Sequence, residues 1–158
     1  MNLSSGDLIQ QYVVCPKCRA ELGIENQRYT CTACGHQTNL QDGVFLAKPL
    51  AAGHYFDSRY QAMQRCNELP EIWELCYAQQ SRLALELIRP GDVVVDIGCG
   101  PVIHFKKPQD CVLIGVDPSF ASIRVNEALD VRVFSSADAI PPRNRSVDRV
   151  FFAIPFIT

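Results

Sequence analysis

Net charge is almost missing from this chain of 158 residues: 15 lysines and arginines face 17 aspartates and glutamates, leaving −2 with histidine neutral. That balance excludes a composition built for non-specific grip on nucleic acid and leaves open only a local basic patch. Long apolar runs are missing too. None reaches the roughly 18 consecutive residues that a membrane-spanning helix needs, and the first residues lack the basic-then-apolar order of a secretory leader. A cytoplasmic protein with no membrane partner is the expectation. With 47% hydrophobic and 20% charged residues, the chain has the makeup of a globular protein, and its length suits one ordinary domain or a small one beside a medium one.

Cysteine is what the chain has in excess, eight in all. Cys66, Cys76, Cys99 and Cys111 stand apart among apolar neighbours, as free buried thiols do. The other four form two close pairs, Cys15-Pro-Lys-Cys18 and Cys31-Thr-Ala-Cys34-Gly35, separated by a 12-residue gap. Two residues between cysteines let each pair make a tight knuckle whose thiolates converge on one ion. Two knuckles complete a tetrahedral sulfur site that suits zinc, with Pro16 and Gly35 supplying turn chemistry. Two disulfides, or an iron–sulfur or redox site, are the alternatives. A closed four-cysteine site has no open position for a substrate, so its default role is structural, in a segment too short to fold on apolar burial alone. Recognition of RNA or of a partner protein is the other role, with only Lys17, Arg19 and Arg28 as basic residues nearby.

Further on, Val93-Val94-Val95 reads as a strand buried on both faces of a parallel sheet. Asp96 ends it, and Gly98 and Gly100 follow, where glycine lets backbone N–H groups approach a bound small molecule. A second apolar run, Leu113-Ile114-Gly115-Val116, ends in Asp117, 21 positions after Asp96. A carboxylate there can accept hydrogen bonds from both hydroxyls of a ribose.

Asp-Ile-Gly-Cys-Gly followed by Ile-Gly-Val-Asp-Pro-Ser resembles the class I S-adenosylmethionine-dependent methyltransferases. Residues 12–47, with two knuckles and then Asp42-Gly-Val-Phe-Leu, resemble the small zinc modules that accompany them. The resemblance implies an α/β fold: an N-terminal zinc ribbon (1–48), a linker and helical lead-in (49–90) and the cofactor-binding half of a Rossmann-like sheet (91–158), its four strands in the order 3-2-1-4. It implies an S-adenosylmethionine site formed by Asp96, Gly98, Cys99, Gly100, Asp117, Pro118, Asp138 and Ala139. In that site Asp138 would accept from the adenine amino group, and Ala139 would offer its N–H. Zinc would sit on Cys15, Cys18, Cys31 and Cys34. Val102 stands where the family has a third glycine. Tyr55, Phe56 and Tyr60 occupy the place from which relatives close over the cofactor, or else belong to a core.

The remaining pattern is coarser. Residues 1–11 read as a loose lead-in, and Lys48–Gly53 as a linker broken by Pro and Gly. Pro70–Ile88 reads as one long helix carrying Trp73 as packing. Val102–Lys107 makes a short helix with His104 in it. Cys111–Val116 is the second strand, a helix runs from Pro118-Ser119 to about Leu129, and Val131–Phe134 is the third strand. Arg143, Arg145 and Arg149 form a solvated patch or meet an anionic substrate. The fourth strand, Val147–Phe152, leads to Ala153–Thr158 and leaves Phe151, Phe152, Ile154, Phe156 and Ile157 on an open edge, which a second copy or a partner chain would cover. Two functions follow. One is methyl transfer to a small-molecule or RNA acceptor, for which no catalytic base stands out. The other is a non-catalytic binding protein that docks through its fourth strand and ribbon. An RNA-binding zinc protein is a third and weaker reading.

Overall fold

The computed structural model describes residues 4–25, 28–64 and 71–152, without the side chains of 63, 64, 71–73 and 76. It begins with helix α1 (Ser5–Tyr12). A capping box starts this helix: the Ser4 hydroxyl accepts from the Asp7 N–H and the Asp7 carboxylate accepts from the Ser4 N–H. Its Leu8 and Ile9 are buried. From Ser4 onward the expected loose lead-in is therefore a docked helix, because Ser-x-x-Asp satisfies the first orphan amides reciprocally; residues 1–3 lie outside the described residues.

Four short strands follow: β1 (Leu22–Glu25), β2 (Arg28–Cys31), β3 (Gln37–Gln41) and β4 (Val44–Leu46). A 3₁₀ turn, Leu50–Gly53, leads to α2 (His54–Gln64), and α3 (Glu71–Leu87) enters β5 (Val93–Ile97). Then come β6 (Val112–Asp117), α4 (Phe120–Ile123), β7 (Val131–Phe134) and β8 (Arg149–Phe152). The expected linker thus contains a packed turn. A Cβ on Gly53 would lie 2.7 Å from the Phe134 ring and 2.8 Å from the Pro118 carbonyl, so only glycine lets the chain cross there.

All eight strands form one sheet in the order β1-β2-β3-β4-β7-β6-β5-β8. The four expected strands keep the order 3-2-1-4 within it, as β7-β6-β5-β8, but the expectation of a separate four-stranded sheet is corrected: the ribbon's strands continue it beyond β7. The ribbon's last strand, β4, adds parallel to β7 with Phe45 opposite Val133, so the third of the expected strands is interior rather than an edge. The physical reason is that β4 is apolar on both faces, with Val44 and Phe45 fully buried, and a strand of that kind belongs inside a sheet. Its two faces feed two cores. One joins Leu8, Ile9, Cys15, Tyr29, Cys31 and Phe45 to Val95, Ile114 and Val133. The other joins Val44 to Ala84, Ile88, Val94, Leu113, Ile123, Leu129 and Phe151.

Two expected helices are cut back. Between Val102 and Lys107 the chain makes bends and no helix; six residues between Pro101 and Pro108 cannot meet the cost of helix nucleation. His104 instead stacks on Tyr77 at 3.4 Å between ring centroids, which places it in packing. The helix expected to reach Leu129 stops after Ile123. Asn126 is the cause: its side chain accepts from the Ala128 N–H at 3.3 Å and donates to the Gly100 carbonyl at 3.0 Å, offering the backbone an alternative to the helix. The fourth strand begins at Arg149 rather than Val147. Of its expected open-edge residues, Phe151 is buried and Phe152 is exposed; Ile154, Phe156 and Ile157 lie outside the described residues, as do Cys66 and the side chains of Trp73 and Cys76. Among the described residues no helix is long and apolar enough to cross a membrane.

A candidate metal centre and a candidate ligand site

The four cysteines of the two knuckles come together. Their sulfur atoms all lie within 4.8 Å of one another, with Cys15–Cys34 at 3.8 Å and Cys18–Cys31 at 3.4 Å. Sulfurs held about 2.3 Å from one tetrahedral ion stand about 3.8 Å apart, so the cluster has the size of a zinc–tetrathiolate site. All four are free thiols, which removes the disulfide alternative for this arrangement. Backbone amides favour the thiolate at Cys31. The Cys34 N–H, seconded by that of Ala33, pulls the Cys31 thiol down to about 6. Cys18, despite the lowering pull of the Ala20 N–H, is pushed up to about 12 by the sulfurs of Cys31, Cys34 and Cys15 around it. Four thiolates so close together need a cation, and a metal ion such as zinc fits.

The second constellation lies where β4, β5, β6, β7 and β8, all parallel, end along one edge of the sheet. Gly98 and Gly100 have φ of +74° and +63°, values a side chain opposes. The Gly98 N–H donates to the Val116 carbonyl at 2.7 Å, locking the turn onto β6. A Cβ on Gly100 would meet nothing nearer than the Ser122 hydroxyl at 4.0 Å, so the space above this glycine is open. Asp117 accepts from the Gly100 N–H at 2.8 Å and from the Ser119 N–H at 2.7 Å. Each carboxylate oxygen keeps a second acceptor site. Asp96 is 2% exposed, and its Oδ1 has no partner. Burial, with the nearby Asp117 charge, pushes its carboxyl up to about 7. Burial likewise raises Asp117, against the lowering pull of the Ser119 and Gly100 amides.

The structure thus brings Asp96, Gly98, Gly100 and Asp117 together. The loop after β7 joins them through the Ser135 N–H, which donates to the Asp117 carbonyl at 3.1 Å. Other expected ligand residues are placed differently. The Cys99 thiol is buried beside Gly115. Pro118 is half-buried, with its carbonyl against Gly53. The Ala139 N–H is already used, donating to the Ser136 carbonyl at 3.0 Å. Asp138 is exposed and accepts from the Ser136 hydroxyl. Tyr55 is exposed, with its ring edge-on to Phe56.

No protein-family model matches the chain. No curated protein matches it either. Function therefore rests on the geometry of these two sites.

Residues that sequence reasoning passed over complete the edge. Lys48 follows β4 and donates to the Ser136 hydroxyl at 2.6 Å; only the pairing of β4 with β7 puts it there. Asp57, on α2, accepts from the Ser119 hydroxyl and the Ala121 N–H and ties α2 to α4. Two of the three loop arginines are struts. Arg143 pairs with Glu21 at 2.8 Å and donates to the Gln11 carbonyl, and Arg149 donates to the Leu87 carbonyl and lies 3.7 Å from Asp92.

Proposed function

We propose that this chain is the S-adenosylmethionine-binding part of a methyltransferase, built on a Rossmann-like arrangement of β5 to β8 and carrying a structural zinc ion on Cys15, Cys18, Cys31 and Cys34. The observation that carries this reading is Asp96: a buried carboxylate with an orphan oxygen, beside two left-handed glycines and a second acid, at the carboxyl edge of parallel strands. An unpaired buried acid is costly, and an ammonium group supplied by a ligand would compensate it. Ligands of open α/β sheets bind at this edge.

Bound there, the cofactor supplies a sulfonium methyl already activated for transfer to an oxygen, nitrogen or carbon acceptor. The protein's part is binding and orientation. Asp96 would hold the amino-acid end, Gly98 and Gly100 would let the backbone approach, the spare acceptor sites of Asp117 would take the ribose hydroxyls, and Asp138 would take the nucleobase end. The acceptor is a small molecule or RNA.

The test is calorimetric titration of the zinc-loaded chain with S-adenosylhomocysteine. Saturable binding that disappears in Asp117→Ala supports the reading; no binding to a folded, zinc-containing chain refutes it.

A non-catalytic docking protein is the second reading, favoured by β8. That strand pairs only with β5 among the described strands, and it exposes Val150 (61%) and Phe152 (54%). A monomer at high concentration in solution would count against docking through this edge.

A further inference from the structure

The two cysteine knuckles are backbone copies of each other. In the first, the Cys15 N–H donates to the Ala20 carbonyl at 2.9 Å and the Arg19 N–H to the Cys15 carbonyl at 2.9 Å. In the second, Cys31 donates to the His36 carbonyl at 2.8 Å and Gly35 to the Cys31 carbonyl at 3.1 Å. The residue after the second cysteine is left-handed in both, with φ +64° at Arg19 and +67° at Gly35. Glycine takes that conformation freely, whereas arginine is strained in it. Strain at one of two equivalent positions points to something the arginine side chain does there.

What it does is visible. Arg19 Nη1 donates to the Ile140 carbonyl, and Nη2 to the Pro142 carbonyl and Asn144 Oδ1, each at 2.9 Å. The Val14 N–H donates to the Pro141 carbonyl at 2.9 Å, and the Arg143 N–H to the Tyr12 carbonyl at 2.7 Å. The segment that follows Asp138 and Ala139 is therefore fastened to the first knuckle. An open cavity of about 490 Å³ lies between them, lined by Lys17 and Arg19 on one side and Asp138 to Pro141 on the other.

We infer that Arg19 is a positioning residue that couples the metal centre to the ligand site. With the metal bound, the first knuckle is rigid and the guanidinium holds residues 137–144 in the arrangement that receives the nucleobase end of the ligand. With the metal lost, the clamp slackens and ligand affinity falls. This rests on the proposed reading of the carboxyl edge as a nucleoside-binding site.

Arg19→Gly tests the clamp without endangering the fold, because the twin knuckle already uses glycine at this position. In the zinc-loaded full chain, Arg19→Gly is expected to keep its zinc and its thermal stability. It should speed amide exchange across 137–144 and weaken S-adenosylhomocysteine about tenfold, the size of a modest coupling between two sites. Arg19→Lys, with one compact donor group in place of a fork, should fall between. Arg28→Ala on β2 should match the wild type. Stripping zinc from the wild type should accelerate the same amides.

Unchanged exchange in Arg19→Gly overturns the clamp, and faster exchange with unchanged affinity overturns its coupling to the ligand. If the zinc-loaded wild type does not bind S-adenosylhomocysteine, the proposed function falls together with the coupling. The exchange data then still decide the clamp.

Discussion

In the variant Asp96→Asn, a buried carboxylate is exchanged for a neutral group of the same shape. The Asp96 carboxyl is raised from 3.8 to about 7, first by burial and then by the Asp117 charge. Between those two values the folded chain holds a proton that the unfolded chain has released, so stability falls as pH rises. The contribution of the protonated acid is complete below 3.8 and is lost as pH climbs through about 7. At about 1.4 kcal/mol per pH unit, the whole window is worth on the order of 4 kcal/mol, and the stretch from about pH 5.5 to 7 about 2 kcal/mol. The neutral amide of the variant carries no such dependence. Urea unfolding followed by far-UV circular dichroism, on both proteins with zinc present, gives the difference at each pH. The zinc centre titrates in both, so the change of that difference with pH isolates Asp96. The variant is expected to gain on the wild type by about 2 kcal/mol between about pH 5.5 and 7 and to gain no more above about pH 8, while its affinity for S-adenosylhomocysteine drops. A difference that stays flat with pH, or that shrinks as pH rises, would refute the account of Asp96 as a buried acid held without a partner.

Gly115→Ala should destabilise the chain by about 1–3 kcal/mol in the same assay, because its Cβ would lie 2.3 Å from a Leu129 methyl and 2.8 Å from the Cys99 sulfur. Asn126→Ala should cost a similar ~1–3 kcal/mol by leaving the Gly100 carbonyl without its donor, and it should also loosen the glycine turn, seen as faster exchange at the Gly100 amide. The chain is expected to bind one zinc ion per protomer, measured by metal analysis after gel filtration, with affinity falling as pH drops because protons compete for the four sulfurs. Removing zinc with a chelator should lower Tm by roughly 5–10 °C if the metal is present at about a hundred times its Kd, and should shift a single transition rather than split it in two.

The parts of this fold that were legible in the sequence are those in which local chemistry decides. Paired cysteines at knuckle spacing can converge only on each other, and a run such as Val93–Val95 can only be buried. That Asp96, Gly98, Gly100 and Asp117 lie together was legible because strand ends and glycine turns leave marks in a few adjacent residues. What escaped depends on contacts made far along the chain. Nothing within Val44–Leu46 says that it will lie against Val131–Phe134, so the eight-stranded sheet and the place of Lys48 beside Ser136 were out of reach. Asn126 ends its helix early because the Gly100 carbonyl is there to receive it. The α1 capping box was readable in Ser4 and Asp7 and went unread. Arg19 carried no local signal at all, since its left-handed backbone emerges only on comparing the two knuckles.

The parallel pairing of β4 with β7 has energetic consequences beyond topology. Strand β4 is tied to the ribbon by antiparallel bonds to β3 and to the rest of the sheet by its parallel pairing with β7. Cys15 and Cys31, two of the four candidate metal ligands, pack in the same core as Val95, Ile114 and Val133. The sulfurs therefore share one packed unit with α1 and β4, and the first knuckle is hydrogen-bonded to the loop between β7 and β8. The sheet in turn preorganises the knuckles, so the entropy of ordering them is shared with the larger unit. A ribbon joined by a slack linker would let the metal centre and the carboxyl edge fluctuate independently. A ribbon built into the sheet would not, and that continuity is what would let one guanidinium on a knuckle bear on the proposed ligand site at the carboxyl edge.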